Sequence, residues 1–280
     1  MNFETVLADR YAAMGSNLQS RVITIANQKG GVGKTTTTIN LATALAAVGK
    51  TVLVIDLDPQ GNASTGLGID RNARNVSTYE LITGKAGIKE AAIKTIVPRL
   101  HLIPSTLDLL GVEMEIASSS DRAYKIKHAI EEYIPDQVQF DHILIDCPPS
   151  LNLLTINAMA AANSLIVPLQ CEFFALEGLS QLLQTFEEVR STINPHLELH
   201  GIVLTMYDSR NNLANQVVAD VREYLGDKVY KTVIPRNVRI SEAPSYGKPA
   251  ILYDLNCPGS QAYLQLASEV IKRERKLAAA

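Results

Sequence analysis

One stretch, Gln28-Lys29-Gly30-Gly31-Val32-Gly33-Lys34-Thr35, constrains this chain more than any other. It lies between an apolar, β-prone run, Arg21–Asn27, and a run of helical spacing, Lys34–Val48, with Ile39, Leu41, Leu45 and Val48 as apolar positions. Glycines at 30, 31 and 33 let the backbone curl until successive N–H groups converge on one point. The following helix turns its positive N-terminal end to the same point. A glycine-rich loop in this strand-to-helix context is a phosphate cradle. Lys34 supplies a full positive charge to β- and γ-phosphates, and Thr35 offers a hydroxyl to Mg²⁺. The common pattern GxxxxGK[ST] is not met at its first position, occupied here by Gln28, and a second lysine, Lys29, precedes the glycines.

The elements around this loop alternate. Apolar strand-like runs are expected at Thr51–Asp56, Leu100–Ile103, His142–Asp146, Asn163–Pro168, Leu199–Met206 and Val229–Ile234. Helical patterns fall between them, at Ala123–Tyr133, Asn152–Ala161, Leu176–Ile193, Leu213–Leu225 and Gln261–Lys276. Apolar strands separated by helices predict an α/β fold: a doubly wound, mostly parallel sheet with helices on both faces. No repeat or interdomain linker interrupts the pattern. The simplest organisation is an N-terminal extension over 1–20 and a single P-loop domain over 21–277.

Three carboxylates close apolar strands. Asp56 and Asp58 follow TVLVID and open the turn LDPQGN, and Asp146 ends HILID. In open α/β sheets ligands gather at the carboxyl ends of strands, where these acids fall. Asp146, after four largely apolar residues, suits a metal-holding role beside the phosphate loop.

The formal charge of −3 excludes a polycation, so nucleic-acid contact needs a local basic patch. Residues 201–280 hold 11 of the 26 Lys+Arg and 8 of the 29 Asp+Glu, a modest basic excess. Three scattered cysteines, Cys147, Cys171 and Cys257, form no CxxC pair and suggest neither zinc nor redox chemistry; they fit a reducing cytoplasm. No apolar run is long enough to span a bilayer, and the N-terminus lacks a secretory pattern.

The motifs KGGVGKTT, DLDPQGNASTGLG, IDCPPS, LTMYDSRNN and VIPRNVRISEAPSYGKP resemble those of the ParA/Soj chromosome- and plasmid-partition ATPases. These belong to the deviant Walker A group of P-loop ATPases, with MinD and the nitrogenase iron protein. The resemblance spans residues 21–272. It implies ATP and Mg²⁺ as ligands, a weak intrinsic ATPase activity, and a homodimer that sandwiches two ATPs. Under it, Lys29 reaches across to the partner's phosphates, Lys34 grips the subunit's own, and Asp58 orients the attacking water. Residues Lys29 to Thr36 (Lys29, Gly30, Gly31, Val32, Gly33, Lys34, Thr35, Thr36) bind the nucleotide. Thr35 and Asp146 hold Mg²⁺ with Asp56 as an outer-shell partner. Pro148 and Pro149 form the turn that senses the γ-phosphate, and Thr205, Pro235 and Asn237 frame the adenine.

The same resemblance implies sequence-independent DNA binding by the ATP-bound dimer, stimulation of hydrolysis by a ParB-like centromere-binding protein, and a cytoplasmic, nucleoid-associated location. Candidate phosphate contacts are Arg210, Lys231, Arg236, Arg239 and Lys248. Residues 1–20 are too short for a helix-turn-helix, so sequence-specific reading is not expected. The alternative inside the group is a MinD-type positioning ATPase with a membrane-bound C-terminal helix. Tyr263, Leu264, Leu266, Ala267, Val270 and Ile271, followed by Lys272–Lys276, could form such a helix, but the same positions suit docking on the sheet, so no stable membrane association is expected.

Overall fold

The computed structural model describes residues 20–133, 139–172 and 175–277. The extension over 1–19 therefore lies outside the described residues. Among those described, the strands are β1 (Arg21–Ile25), β2 (Val52–Asp56), β3 (Ile93–Lys94), β4 (Leu100–Ile103), β5 (His142–Asp146), β6 (Ser164–Gln170), β7 (Glu198–Tyr207) and β8 (Val229–Pro235). They form one sheet in the order β3-β4-β2-β5-β1-β6-β7-β8. Every pairing is parallel except β3 with β4. The helices are α1 (Lys34–Ala47), α2 (Asn62–Gly66), α3 (Thr78–Thr83), α4 (Ile88–Ala91), α5 (Leu109–Ile116), α6 (Lys125–Glu131), α7 (Leu153–Ala161), α8 (Ala175–Thr192), α9 (Asn212–Leu225), α10 (Val238–Glu242), α11 (Ala250–Tyr253) and α12 (Pro258–Leu277).

Both faces of the sheet are covered, which is why its strands read as continuous apolar runs rather than alternating ones. Along β2, Leu53 and Ile55 join the core made with α3, α7, α8 and α9, while Val52 and Val54 join the opposite core, made with α1 and α12. The doubly wound expectation is met, and every expected strand and long helix is present.

Two features depart from the sequence reading. Val48, expected as a core position of α1, is 58% exposed because the helix ends at Ala47 and Gly49 turns the chain at φ 91°. Several short helices (α2, α3, α4, α5, α10 and α11) and the two-residue antiparallel edge β3 were not expected. Most of these helices are too short to show a period, and α3 is set by its cap instead: the Ser77 hydroxyl accepts from the Tyr79 N–H while the Glu80 carboxylate accepts from the Ser77 N–H at 2.8 Å.

The C-terminal helix docks on the sheet. Tyr263, Leu266 and Val270 are buried against β8 and α1. Polar ties then fix its pitch. Arg273 donates to the carbonyls of His200 and Val229, each at 2.9 Å, and lies 4.2 Å over the Tyr230 ring. Glu269 accepts the N–H groups of Lys231 and Thr232. Its apolar stripe is thus consumed in the core, and no helix among the described residues is long and apolar enough to cross a membrane. Leu266→Ala, which removes a fully buried side chain from this contact, is expected to lower unfolding stability by about 3 kcal/mol, measured by urea denaturation.

Candidate functional site

Strand register builds the site. Ile25 pairs with Asp146, and Asp56 pairs with Asp146 across β2 and β5. The three strands therefore end level, and the loop after β1 emerges beside both carboxylates. Gly31 (φ 77°) and Gly33 (φ 91°) take left-handed backbone that a side chain would strain, which curls the loop into its cradle. Thr37 N–H donates to the Gly33 carbonyl at 2.8 Å and opens α1. Thr35 and Thr36 are half-buried at its first turn, and Lys29, Gly30 and Gly31 are exposed.

Lys34 is buried, and its ammonium donates to the Lys29 carbonyl at 2.9 Å, across the mouth of its own loop. Burial lowers its pKa below the usual 10.5, opposed by the charges of Asp146 and Asp58. Lys29 is ion-paired with Glu172, on the loop after β6. Thr205 sits beneath the cradle: its hydroxyl donates to the Val32 carbonyl at 2.8 Å, and its methyl lies against Gly33. In this structure it supports the loop's backbone. Pro149 approaches Gly30 from the other side.

The three acids have different surroundings. Asp146 is fully buried; its Oδ1 accepts from Thr38 Oγ1 at 2.9 Å, while its Oδ2 has no hydrogen-bond partner. Burial raises its pKa far above the ordinary carboxylate value, helped by the neighbouring Asp56 and opposed by the Thr35 and Thr38 hydroxyls. Asp56 has both oxygens committed. Oδ2 accepts from Ser64 N–H (2.8 Å) and Ser64 Oγ (2.7 Å), and Oδ1 accepts from Asp58 N–H (3.2 Å). Burial raises its pKa too, and the Ser64 donors oppose the shift. Asp56 thus anchors both ends of the turn that carries Asp58 rather than offering a free oxygen. Asp58 accepts the Gln60 N–H on Oδ1 at 3.0 Å and remains nearly buried.

No three acidic, His or Cys side chains among the described residues form a self-sufficient metal cage. An orphaned, buried Asp146 oxygen beside the Thr35 hydroxyl is nonetheless what a divalent cation relieves. Mg²⁺ in particular binds through one or two protein oxygens together with substrate phosphates. The residues present therefore fit Mg²⁺, with Thr35 and Asp146 as its holders.

Four contributors were not singled out by the sequence. Thr38, one helical turn after Lys34, braces Asp146; Ser64 braces Asp56; Glu172 pairs with Lys29. The fourth, Arg74, is a buried cation behind the Asp58 turn. It donates to the Ser105 carbonyl (3.1 Å), the Ile69 carbonyl (2.9 Å) and Thr65 Oγ1 (2.8 Å), and leaves no room for a side chain at Gly61. A lone arginine forty residues from the phosphate loop carries no sequence signal; only packing reveals it.

The remaining expected residues scatter. Pro235 ends β8 opposite Tyr207, and Asn237 caps α10 by accepting the Arg239 N–H at 2.9 Å. Of the basic candidates, Arg210 is exposed but held by Asp208 at 2.7 Å, and Arg239 by Glu242 (3.1 Å) and Asp254 (3.6 Å). Arg236 and Lys248 are exposed. Lys231 lies near the amino-terminal end of β8, away from the others. The structure therefore does not gather these five into one patch.

A doubly wound parallel sheet with a glycine-rich loop at the end of its central strand, a buried lysine in that loop and a strand-end Asp beside it defines a P-loop ATPase. A family model described as an AAA domain matches residues 20–199. The chain is 61% identical over 255 residues to the chromosome partitioning protein ParA of Caulobacter vibrioides, covering 91% of this chain and 95% of that one. It is 50% identical over 250 residues to the sporulation initiation inhibitor protein Soj of Bacillus subtilis, covering 89% and 98%. Among solved structures it resembles cobyrinic acid a,c-diamide synthase of Mycobacterium smegmatis with bound ADP and magnesium (TM-score 0.80, 36% identity, 91% of this chain and 96% of that one). It also resembles the cell division ATPase MinD of Pyrococcus furiosus (TM-score 0.74, 29% identity, 90% and 99%). The chain belongs to the ParA/Soj family of partition ATPases.

The raised pKa of Asp146 has a definite sign in stability. Above the ordinary carboxylate range the unfolded chain has lost this proton while the folded chain keeps it, so ligand-free stability falls as pH rises toward the folded value. The ligand-free protein is expected to melt at a lower temperature at about pH 8 than at about pH 6. Asp146→Asn should flatten that dependence and melt higher than the parent at the upper pH; calorimetry at both pH values checks this.

Proposed function

We propose that this chain is an ATP-dependent DNA-partition ATPase that cycles between a free subunit and an ATP-bound homodimer. The observation that supports it most directly is the unpartnered Asp146 oxygen, placed between Lys34, Thr35 and the Asp58 turn. Thr35 and Asp146 would hold Mg²⁺, which would supply neutralisation of phosphate charge. The chain's own residues do the rest. The loop N–H groups from Gly30 to Thr35 and the Lys34 ammonium hold the phosphates, which requires Lys34 to leave the Lys29 carbonyl. Asp58, kept in place through Asp56 and Ser64, accepts a hydrogen bond from the attacking water and aligns it with the γ-phosphorus. Lys29 leaves Glu172 and stabilises charge on the partner's transferring phosphoryl group. Pro148 and Pro149, on the turn beside Gly30, sense the γ-phosphate. Under this reading Pro235 and Asn237 frame the adenine together with Thr205, which also braces the loop through the Val32 carbonyl.

Dimer closure presents Arg210, Arg236, Arg239 and Lys248 to DNA phosphates, without sequence reading. Hydrolysis, weak in the isolated protein and stimulated by a ParB-like partner, releases the DNA, so the protein works on the nucleoid. The MinD-type alternative is disfavoured because the apolar stripe of α12 is buried in the core and unavailable to a bilayer.

Lys34→Ala is expected to abolish ATP binding in isothermal titration; retained affinity would remove the basis of the phosphate assignment. Asp58→Ala should keep nucleotide affinity and lose about 10²-fold or more in turnover, accumulating an ATP-bound dimer in size-exclusion chromatography. Normal phosphate release by that variant would contradict the role given to Asp58. DNA co-sedimentation should be markedly stronger with ATP than with ADP; equal binding with both nucleotides would refute the cycle.

A further inference from the structure

The opposite rim of the sheet, where the strands begin, carries an open groove of about 1630 Å³ bounded by α12, α8 and the starts of β7 and β8. It is larger than a small-molecule pocket. Along α12, Gln265, Ser268, Lys272, Arg275 and Lys276 recur at helical spacing and all line the groove. Lys228 and Lys231 face them from the start of β8.

These cations differ from two of the three motif arginines, Arg236 being exposed and without an ion-pair partner among the described residues as they are. Arg210 and Arg239 are already neutralised by carboxylates within the chain. The side chains of Lys231, Lys272, Arg275 and Lys276 have no hydrogen-bond or ion-pair partner among the described residues, and all four are exposed. Of the four acids lining the groove, three are occupied elsewhere and Asp227 is exposed beside Lys228. Glu269 accepts backbone N–H groups of β8, Glu187 pairs with Arg190, and Glu198 lies 3.8 Å from Arg21. The floor adds His200, 4% exposed, whose Nε2 has no partner.

We propose that this groove is a second nucleic-acid surface, binding the phosphate backbone without reading bases. It rests on the DNA-binding reading above and places phosphate contacts on a rim of the sheet remote from the nucleotide. The stripe from Gln265 to Lys276 runs about 16 Å along its helix, close to five base-pair steps of a duplex. A peptide is a poorer occupant. Strand addition to the edge of β8 is blocked there, because Glu269 takes the N–H groups of Lys231 and Thr232 and Arg222 takes the Lys231 carbonyl at 3.1 Å. Because these cations are remote from the subunit's phosphate loop, their contribution should not depend on which nucleotide is bound.

The test is fluorescence anisotropy with a 30-base-pair duplex of arbitrary sequence, over a salt series, with ATP and with ADP. The triple variant Lys272→Glu, Arg275→Glu, Lys276→Glu should bind about tenfold or more weaker than wild type and lose about 2–3 from the slope of log affinity against log salt. The charge-preserving triple Lys272→Arg, Arg275→Lys, Lys276→Arg should bind like wild type. Lys231→Glu, on the facing strand, should independently weaken binding, so the result does not hang on how α12 tolerates three changes; native melting curves and ADP binding certify the fold. Charge-reversed variants that bind the duplex within about twofold of wild type overturn the groove while leaving the DNA-binding reading intact. A wild-type protein that binds no duplex in any nucleotide state overturns both. Polyglutamate that binds the wild type and loses affinity in the triple variant, with duplex affinity unchanged, would assign the groove to an acidic polypeptide and overturn the nucleic-acid proposal.

Discussion

The structure turns on a buried charge held incomplete. Asp146 is fully enclosed by the sheet and by α1, yet one of its oxygens has no partner. A carboxylate in that position is costly to ionise, and a cation arriving with phosphates at the loop alongside would relieve that cost. Thr38 on one side and the β2–β5 register on the other keep the group from turning to find a partner of its own. The site is therefore poised by its burial rather than by any strained bond.

Around that charge, the chain distinguishes acids that are chemically alike. Asp56 and Asp146 stand side by side at level strand ends, but Asp56 is saturated by Ser64 and the Asp58 N–H. It acts as the peg of a turn, and the turn carries Asp58. Arg74 closes the back of the same turn through carbonyls and a hydroxyl, where Gly61 leaves it space. Position, not residue type, separates the anchor Asp56 from the two acids proposed to hold metal and to orient water.

The two cationic surfaces show a related division. At the carboxyl rim, Lys29, Arg210 and Arg239 are each paired with a carboxylate of the same chain, so their charge becomes available only when those pairs open. At the amino rim, Lys231, Lys272, Arg275 and Lys276 have no partner among the described residues, while Arg273 is tied to Glu269 and to the start of β8. Exposed pairs of the first kind are worth little in stability and exchange readily.

The sequence alone determined the class of fold and the place of the phosphate loop, because both rest on local rules. Glycines at 30, 31 and 33 are needed for the curled backbone, and apolar runs alternating with helical periods leave a covered parallel sheet as the economical solution. It also placed Asp56, Asp58 and Asp146 at strand ends, and the family motifs assigned them to one centre. Only the tertiary structure decided what each touches there. Thr205 lies 172 residues after Gly33, and Arg74 meets Ser105 across the end of β4; such contacts are set by strand register and packing, which no local pattern encodes. The same holds for α12, whose apolar and basic residues would suit a membrane as well as a core until β8 and α1 are seen to bury the first and leave the second in a groove.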